Sequence, residues 1–161
     1  ISQEQTPHLN MLLRRTLLDA GLSTYAAKDS YNRKRPFVVR GEASCTPVEE
    51  PTLAKDGSYP SGHAALGWAW ALVLSEVAPE RTNAVLARGY GFGQSRVICG
   101  VHWQSDVDAG RVMGAAAVAA LHSDPTFTAQ LAAAKAEVAD ARSKNLKASG
   151  DCKAEAAALA P

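Results

Sequence analysis

The chain has 161 residues, 47 % hydrophobic and 20 % charged, a globular composition with room for one compact core. Lys+Arg 17 against Asp+Glu 16 leaves a formal net charge of +1, which excludes a polybasic footprint for nucleic acid or an anionic membrane. The longest apolar run, Ala64 to Leu74, falls well short of the ~20 residues that cross a bilayer, so no membrane span is expected.

Helical periodicity dominates from the start. Thr6-Pro7 reads as N-cap and N1, followed by Leu9, Leu12, Leu13, Leu17 and Leu18, with Gly21 as the stop. A second helix from near Ser23 carries Tyr25, Ala26, Lys28 and Tyr31, and must end before Pro36. Residues 37–59, with Gly41, Pro47, Pro51 and Gly57, read as a long loop of the kind that is usually functional or disordered. Ser61 then caps an apolar helix to about Val77, and Pro79 opens another segment running past Arg88 toward Val101. Ser105 reads as the N-cap of a helix to about Leu121, with Asp106 and Asp108 in its first turn. Asp124-Pro125 starts a last amphipathic stretch through Phe127, Leu131, Ala134 and Val138. Residues 143–161, rich in Ala, Lys and Ser, show no apolar stripe and read as a frayed tail. Period-2 alternation is scarce, so the expected fold is all-α, with one compact helical domain over residues 1–142. The start at Ile1, without Met or a visible leader, implies a removed leader or a start inside a longer protein.

Three stretches carry side chains suited to chemistry. Lys28, Arg33, Lys34 and Arg35 crowd the end of the second helix, where cations also simply complement the dipole. Pro36 fixes the backbone that aims Arg35. In Pro60-Ser61-Gly62-His63, a Ser cap alone says only that a helix starts. Gly62, however, leaves amides bare at that N-terminus, an anion site that His63 would face. Ser95-Arg96 precedes His102 and Asp106, spaced so that a carboxylate could fix the imidazole tautomer; the same pair could also be an ordinary cap beside Trp103. The Gly89–Gly93 run has the wrong spacing for a phosphate loop, and His8 and His122 read as surface residues. A zinc site of His63, His102 and Asp106 is disfavoured because Lys28, Arg35 and Arg96 would repel a cation; an oxyanion suits that set better. Cys45, Cys99 and Cys152 follow no metal spacing, and one bridge or three thiols are equally ordinary.

Taken together, KDSYNRKRP (28–36), PSGH (60–63) and SRVICGVHWQSD (95–106) resemble the three-part signature of the type 2 phosphatidic acid phosphatase superfamily, shared with vanadium-dependent haloperoxidases. KDGSYPSGH and GQSRVICGVHWQSDVDAGR are similar to stretches of bacterial class A non-specific acid phosphatases, and the resemblance extends from about Leu12 to Ala134. It implies a helical acid phosphatase of broad specificity toward small phosphomonoesters. In that reading His102 is the nucleophile that forms a phosphohistidine, Asp106 orients it, and His63 is the general acid. Lys28, Arg35, Arg96, Ser61 and the Gly62 N–H would hold the phosphoryl oxygens. No cofactor or metal is implied, and vanadate is expected to inhibit as a phosphate mimic.

The chemistry asks for protonated His63 and neutral His102, hence a mildly acidic optimum. Phosphotransfer to another alcohol would use the same intermediate. The resemblance further implies a periplasmic or secreted homo-oligomer, an additional N-terminal helical portion, and a Cys45–Cys99 bridge, with Cys152 pairing to an N-terminal cysteine. The alternatives are a vanadium-dependent haloperoxidase and a non-enzymatic oxyanion-binding helical module.

Overall fold

The structure, a computed structural model, describes residues 1–147 and 150–159. Every regular element among the described residues is helical: α1 (Pro7–Leu22), α2 (Tyr25–Tyr31), α3 (Pro36–Arg40), α4 (Glu50–Leu53), α5 (Gly62–Val77), a 3₁₀ turn (Pro79–Arg81), α6 (Thr82–Ile98), α7 (Gln104–Leu121), α8 (Pro125–Ser143) and α9 (Cys152–Ala158). The all-α reading therefore holds.

Helix α5 is the central post, packed against α1, α6, α7 and α8. Its buried residues are mostly small, among them Ala64, Ala65, Ala69 and Ala71, so its neighbours come close. The closest approach is to α7, where a Cβ on Gly110 or Gly114 would overlap the carbonyl oxygens of Ser61 or Ala65. Gly89 and Gly93 are likewise buried within α6, so that glycine run serves helix packing. On the far side, Leu9, Leu12 and Leu13 of α1 meet Val73, Val77, Val118, Phe127 and Leu131 in the main core. The indole N–H of Trp70 donates to Leu13 O at 2.8 Å, tying α5 to α1.

Helix ends depart from expectation where a distant side chain intervenes. Thr6 precedes Pro7 as expected, yet its hydroxyl turns back to Ser2 and does not cap α1. Glu137 of α8 supplies the cap instead, accepting from the amides of His8 and Leu9 at 3.1 and 2.9 Å. Ser105 is not the N-cap of α7. Trp103 holds that position with extended backbone (φ −75°, ψ 157°), and Ser105 lies in the first turn. Ser61 caps α5 as read, accepting from Ala64 N at 3.2 Å, and Asp124, at the expected start of α8, accepts from Thr126 N at 2.7 Å.

The loop over 37–59 contains two short helices, α3 and α4, each opened by a proline at N1 or N2. It is pinned by a Cys45–Cys99 disulfide (Cα–Cα 4.9 Å) and by Cys45 N donating to Cys99 O at 3.1 Å. Cys152 is a free, exposed thiol. The stretch expected to be a frayed tail instead contains α9. Asp151 accepts from Lys153 and Ala154 amides, and alanine-rich sequence then favours helix. Residues 148–149 and 160–161 of that stretch lie outside the described residues.

Candidate active site

The candidate site is built where the ends of α2, α3, α5, α6 and α7 converge. Its centre is His102, just ahead of α7 and only 3 % exposed. Its backbone amide, like that of Val101, donates to Arg96 O, which sets the tight exit from α6. The ring lies between two charged groups. On one side Nδ1 is 3.4 Å from Asp106 Oδ2, a contact longer than a well-formed hydrogen bond. Among the described residues, Nδ1 has no regular hydrogen-bond partner. On the other side Nε2 lies 3.1 Å from Arg35 Nη1.

Asp106 is fully buried and firmly held. Its Oδ2 accepts from the Trp103 amide and its Oδ1 from Arg33 Nη1, both at 2.8 Å. Burial opposes its ionisation, but the contacts with His102, the Trp103 amide and Arg33 prevail and hold its pKa below the ordinary carboxylate value. Its main-chain carbonyl accepts from Ser61 N at 2.8 Å, which locks the start of α5 to the start of α7. Arg33 also donates to Ser105 Oγ at 2.7 Å and lies 5.4 Å from the Trp103 ring centroid, as does Arg40 on the same indole.

Two of the expected cations, Lys28 and Arg35, meet on one carboxylate, that of Asp56. Lys28 and Arg35 are 5 % and 2 % exposed, an unusual depth for such residues. Asn32 ends α2 in the left-handed region (φ 40°), turning the chain so that Arg35 follows at the entry to α3. Arg35 Nε donates to Leu53 O at 2.8 Å and Asp56 O at 3.2 Å; Nη1 reaches Val101 O at 3.1 Å and Nη2 reaches Asp56 Oδ2 at 2.9 Å. Lys28 Nζ donates to the same Asp56 oxygen at 3.2 Å and to Gly57 O. Arg96, on the last turn of α6, has a buried Nε with no hydrogen-bond partner among the described residues. A buried guanidinium N–H in that state is suited to an anion.

Burial, helped by the positive charges of Arg35 and Lys28, lowers the His102 pKa to about 4 against the opposing pull of Asp106. The ring is therefore neutral over most of the acid range. His63, in the first turn of α5, is exposed on its outer side. Desolvation of its inner face, then Arg96, Arg35 and Lys28, hold its pKa below the ordinary imidazole value, with Glu49 opposing. Ser61 and Gly62 open the same helix, and the nearest atom to a Cβ at Gly62 is Thr24 Oγ1 at 3.5 Å, so ordinary packing does not demand glycine there.

Two residues of this site escape sequence reasoning. Arg33 reads as one more charge in a basic run, and nothing in its spacing points to Asp106, 73 positions later. Asp56 lies in the expected loop, yet its carboxylate bridges both buried cations. Its place within KDGSYPSGH, six residues ahead of Gly62, was the available signal. Among the described residues no group of three or more His, Cys, Asp or Glu side chains is arranged to hold a metal ion.

The helical bundle thus sets Arg35 and Lys28 beside a neutral, carboxylate-backed His102, a setting whose charge is chemically suited to an oxyanion. The PAP2 superfamily matches residues 9–128, and the chain belongs to that superfamily. It is 54 % identical over 140 residues to a non-specific acid phosphatase of Providencia stuartii, covering 86 % of this chain and 56 % of that protein. It is 50 % identical to a non-specific acid phosphatase of Salmonella typhimurium over 87 % of this chain and 56 % of the relative. An acid phosphatase of Zymomonas mobilis is 44 % identical over 86 % and 52 %. The chain thus spans about half the length of the curated relatives it matches.

Proposed function

We propose that this chain carries the catalytic site of an acid phosphatase acting on small phosphomonoesters through a phosphohistidine, without a metal. The observation that carries the reading is the setting of His102, with Asp106 behind Nδ1 and the Arg35 guanidinium in front of Nε2. In the first step the Nε2 lone pair forms the N–P bond as the P–O bond to the leaving group breaks. His63 gives its proton to the departing alkoxide. In the second step His63 takes a proton from water, whose oxygen displaces the phosphoryl group from His102 and releases phosphate. Asp106 holds the ring's Nδ1–H and stabilises the positive charge that grows as Nε2 attacks.

Phosphoryl transfer depends chiefly on positioning and on charge placed around the equatorial oxygens. Lys28, Arg35 and Arg96 supply that charge, with Ser61 Oγ and the Gly62 amide at the helix N-terminus. The dianion also answers the depressed His63 pKa, because its charge offsets the three cations and favours the imidazolium. Vanadate should compete as a phosphate mimic. The names of the curated relatives support the phosphatase reading. A periplasmic or secreted homo-oligomer is proposed from the family resemblance alone.

The test is release of phosphate from an aryl phosphate near pH 5, with EDTA present and His102→Ala as the control. Turnover that survives the chelator and disappears in the variant is the expected result. Turnover abolished by EDTA, or retained by His102→Ala, would overturn it.

A further inference from the structure

Asp56 is an anion inside an anion site, and its contacts are with two of the cations assigned to the phosphoryl group. One carboxylate oxygen accepts from both Lys28 Nζ and Arg35 Nη2. The donors left for a ligand are correspondingly few. The single Nε–H of Arg35 is shared by two carbonyls, Nη1 faces Val101 O and His102 Nε2, and one Nη2 bond goes to Asp56. An incoming dianion must use the few donors that remain or displace this carboxylate.

Positioning alone does not explain the carboxylate. Main-chain carbonyls of Leu53, Asp56, Gly57 and Val101 already hold the same two side chains. Nor is the carboxylate locked in place: the Asp56 side chain is 43 % exposed, whereas its partners are buried. It can rotate to solvent when a dianion arrives and return when the dianion leaves.

Resting on the phosphatase reading above, we propose that Asp56 is a resident competitor of the phosphoryl group, weakening phosphate binding and speeding product release. Removal of its charge leaves Lys28 and Arg35 held by the main-chain carbonyls and frees the donors now given to the carboxylate. Asp56→Asn should therefore bind inorganic phosphate about tenfold more tightly, the scale on which one neighbouring charge acts. KM for an aryl phosphate should fall with it, while kcat does not rise.

The experiment is calorimetric titration of inorganic phosphate into the wild type and Asp56→Asn, with aryl phosphate kinetics on both. Thermal melting checks the fold, and Asp56→Ser replaces the variant if Asn does not fold. Tighter phosphate binding with lower KM supports the proposal. Unchanged binding overturns it, and weaker binding assigns Asp56 to holding the cations instead. A wild type that neither binds phosphate nor turns over would overturn the phosphatase reading itself, and the proposal with it.

Discussion

The proposed mechanism gives His102 and His63 different tasks, and the surroundings of the two rings differ accordingly. His102 is buried against guanidinium and carboxylate, with a pKa lowered to about 4, so it is free of its proton through most of the acid range. His63 is also lowered, but it lies at the open side, where a bound dianion can reverse the effect. The dependence of kcat/KM on pH reports groups of the free protein. It should therefore rise through about pH 4 as His102 loses its proton, and decline from a point below the ordinary imidazole pKa as His63 loses its own. The limb for kcat, set by the complex, should decline at higher pH. Rate profiles of the wild type and His63→Gln check this. The variant should lack the high-pH decline and lose on the order of 10²–10⁴-fold in kcat.

At the scale of elements, the site depends on how α5, α7 and the segment between α2 and α5 are fastened. Ser61 N to Asp106 O joins the starts of α5 and α7, and the Cys45–Cys99 bridge ties the long loop to the end of α6. A cross-link closing 54 residues of separation restricts the unfolded chain by about 4 kcal/mol on the loop-entropy argument. The double variant Cys45→Ser/Cys99→Ser should lose stability on that order in urea titrations. Elements governed by local signals were legible in sequence: Ser61 as a cap, Asp124-Pro125 as a helix start, Pro36 as a barrier, and the apolar stripes of α1 and α8. Elements and ends governed by distant contacts were not. Glu137 caps α1 from 129 positions away from His8, and no local pattern encodes such a pairing. Lys28, Arg35, Arg96, His63, His102 and Asp106 were expected together from the family resemblance, since each segment alone also allowed an ordinary helix-end or capping reading; in the structure His102 lies between Asp106 and Arg35. Arg33 was not among them, since it is defined only by the partner it meets in space, and Asp56 carried no signal beyond its place in KDGSYPSGH.

For the whole molecule, a net charge of +1 coexists with Lys28, Arg33, Arg35 and Arg96 gathered near His102 and His63, so any positive field is local. The buried His102 also burdens stability in acid. His102 protonates at about 4 when folded and near the ordinary imidazole value when unfolded, so between those limits the unfolded chain holds more protons. Its contribution is fully present above about pH 6.5 and is lost as pH falls toward about 4, by on the order of 3 kcal/mol. Urea titrations at pH 7 and pH 4 check this: His102→Gln should show a smaller acid loss than the wild type by that amount.

The central claim is that His102 Nε2 itself takes the phosphoryl group. Its most direct measurement is acid-free rapid quenching of the protein with an aryl phosphate, followed by mass spectrometry of the peptide containing His102. The account predicts a base-stable, acid-labile phosphoryl adduct on His102 that forms before steady-state release and is absent in His102→Ala. Burst-free turnover with His102 unmodified at every time point, or a phosphoryl group on another side chain, would contradict it.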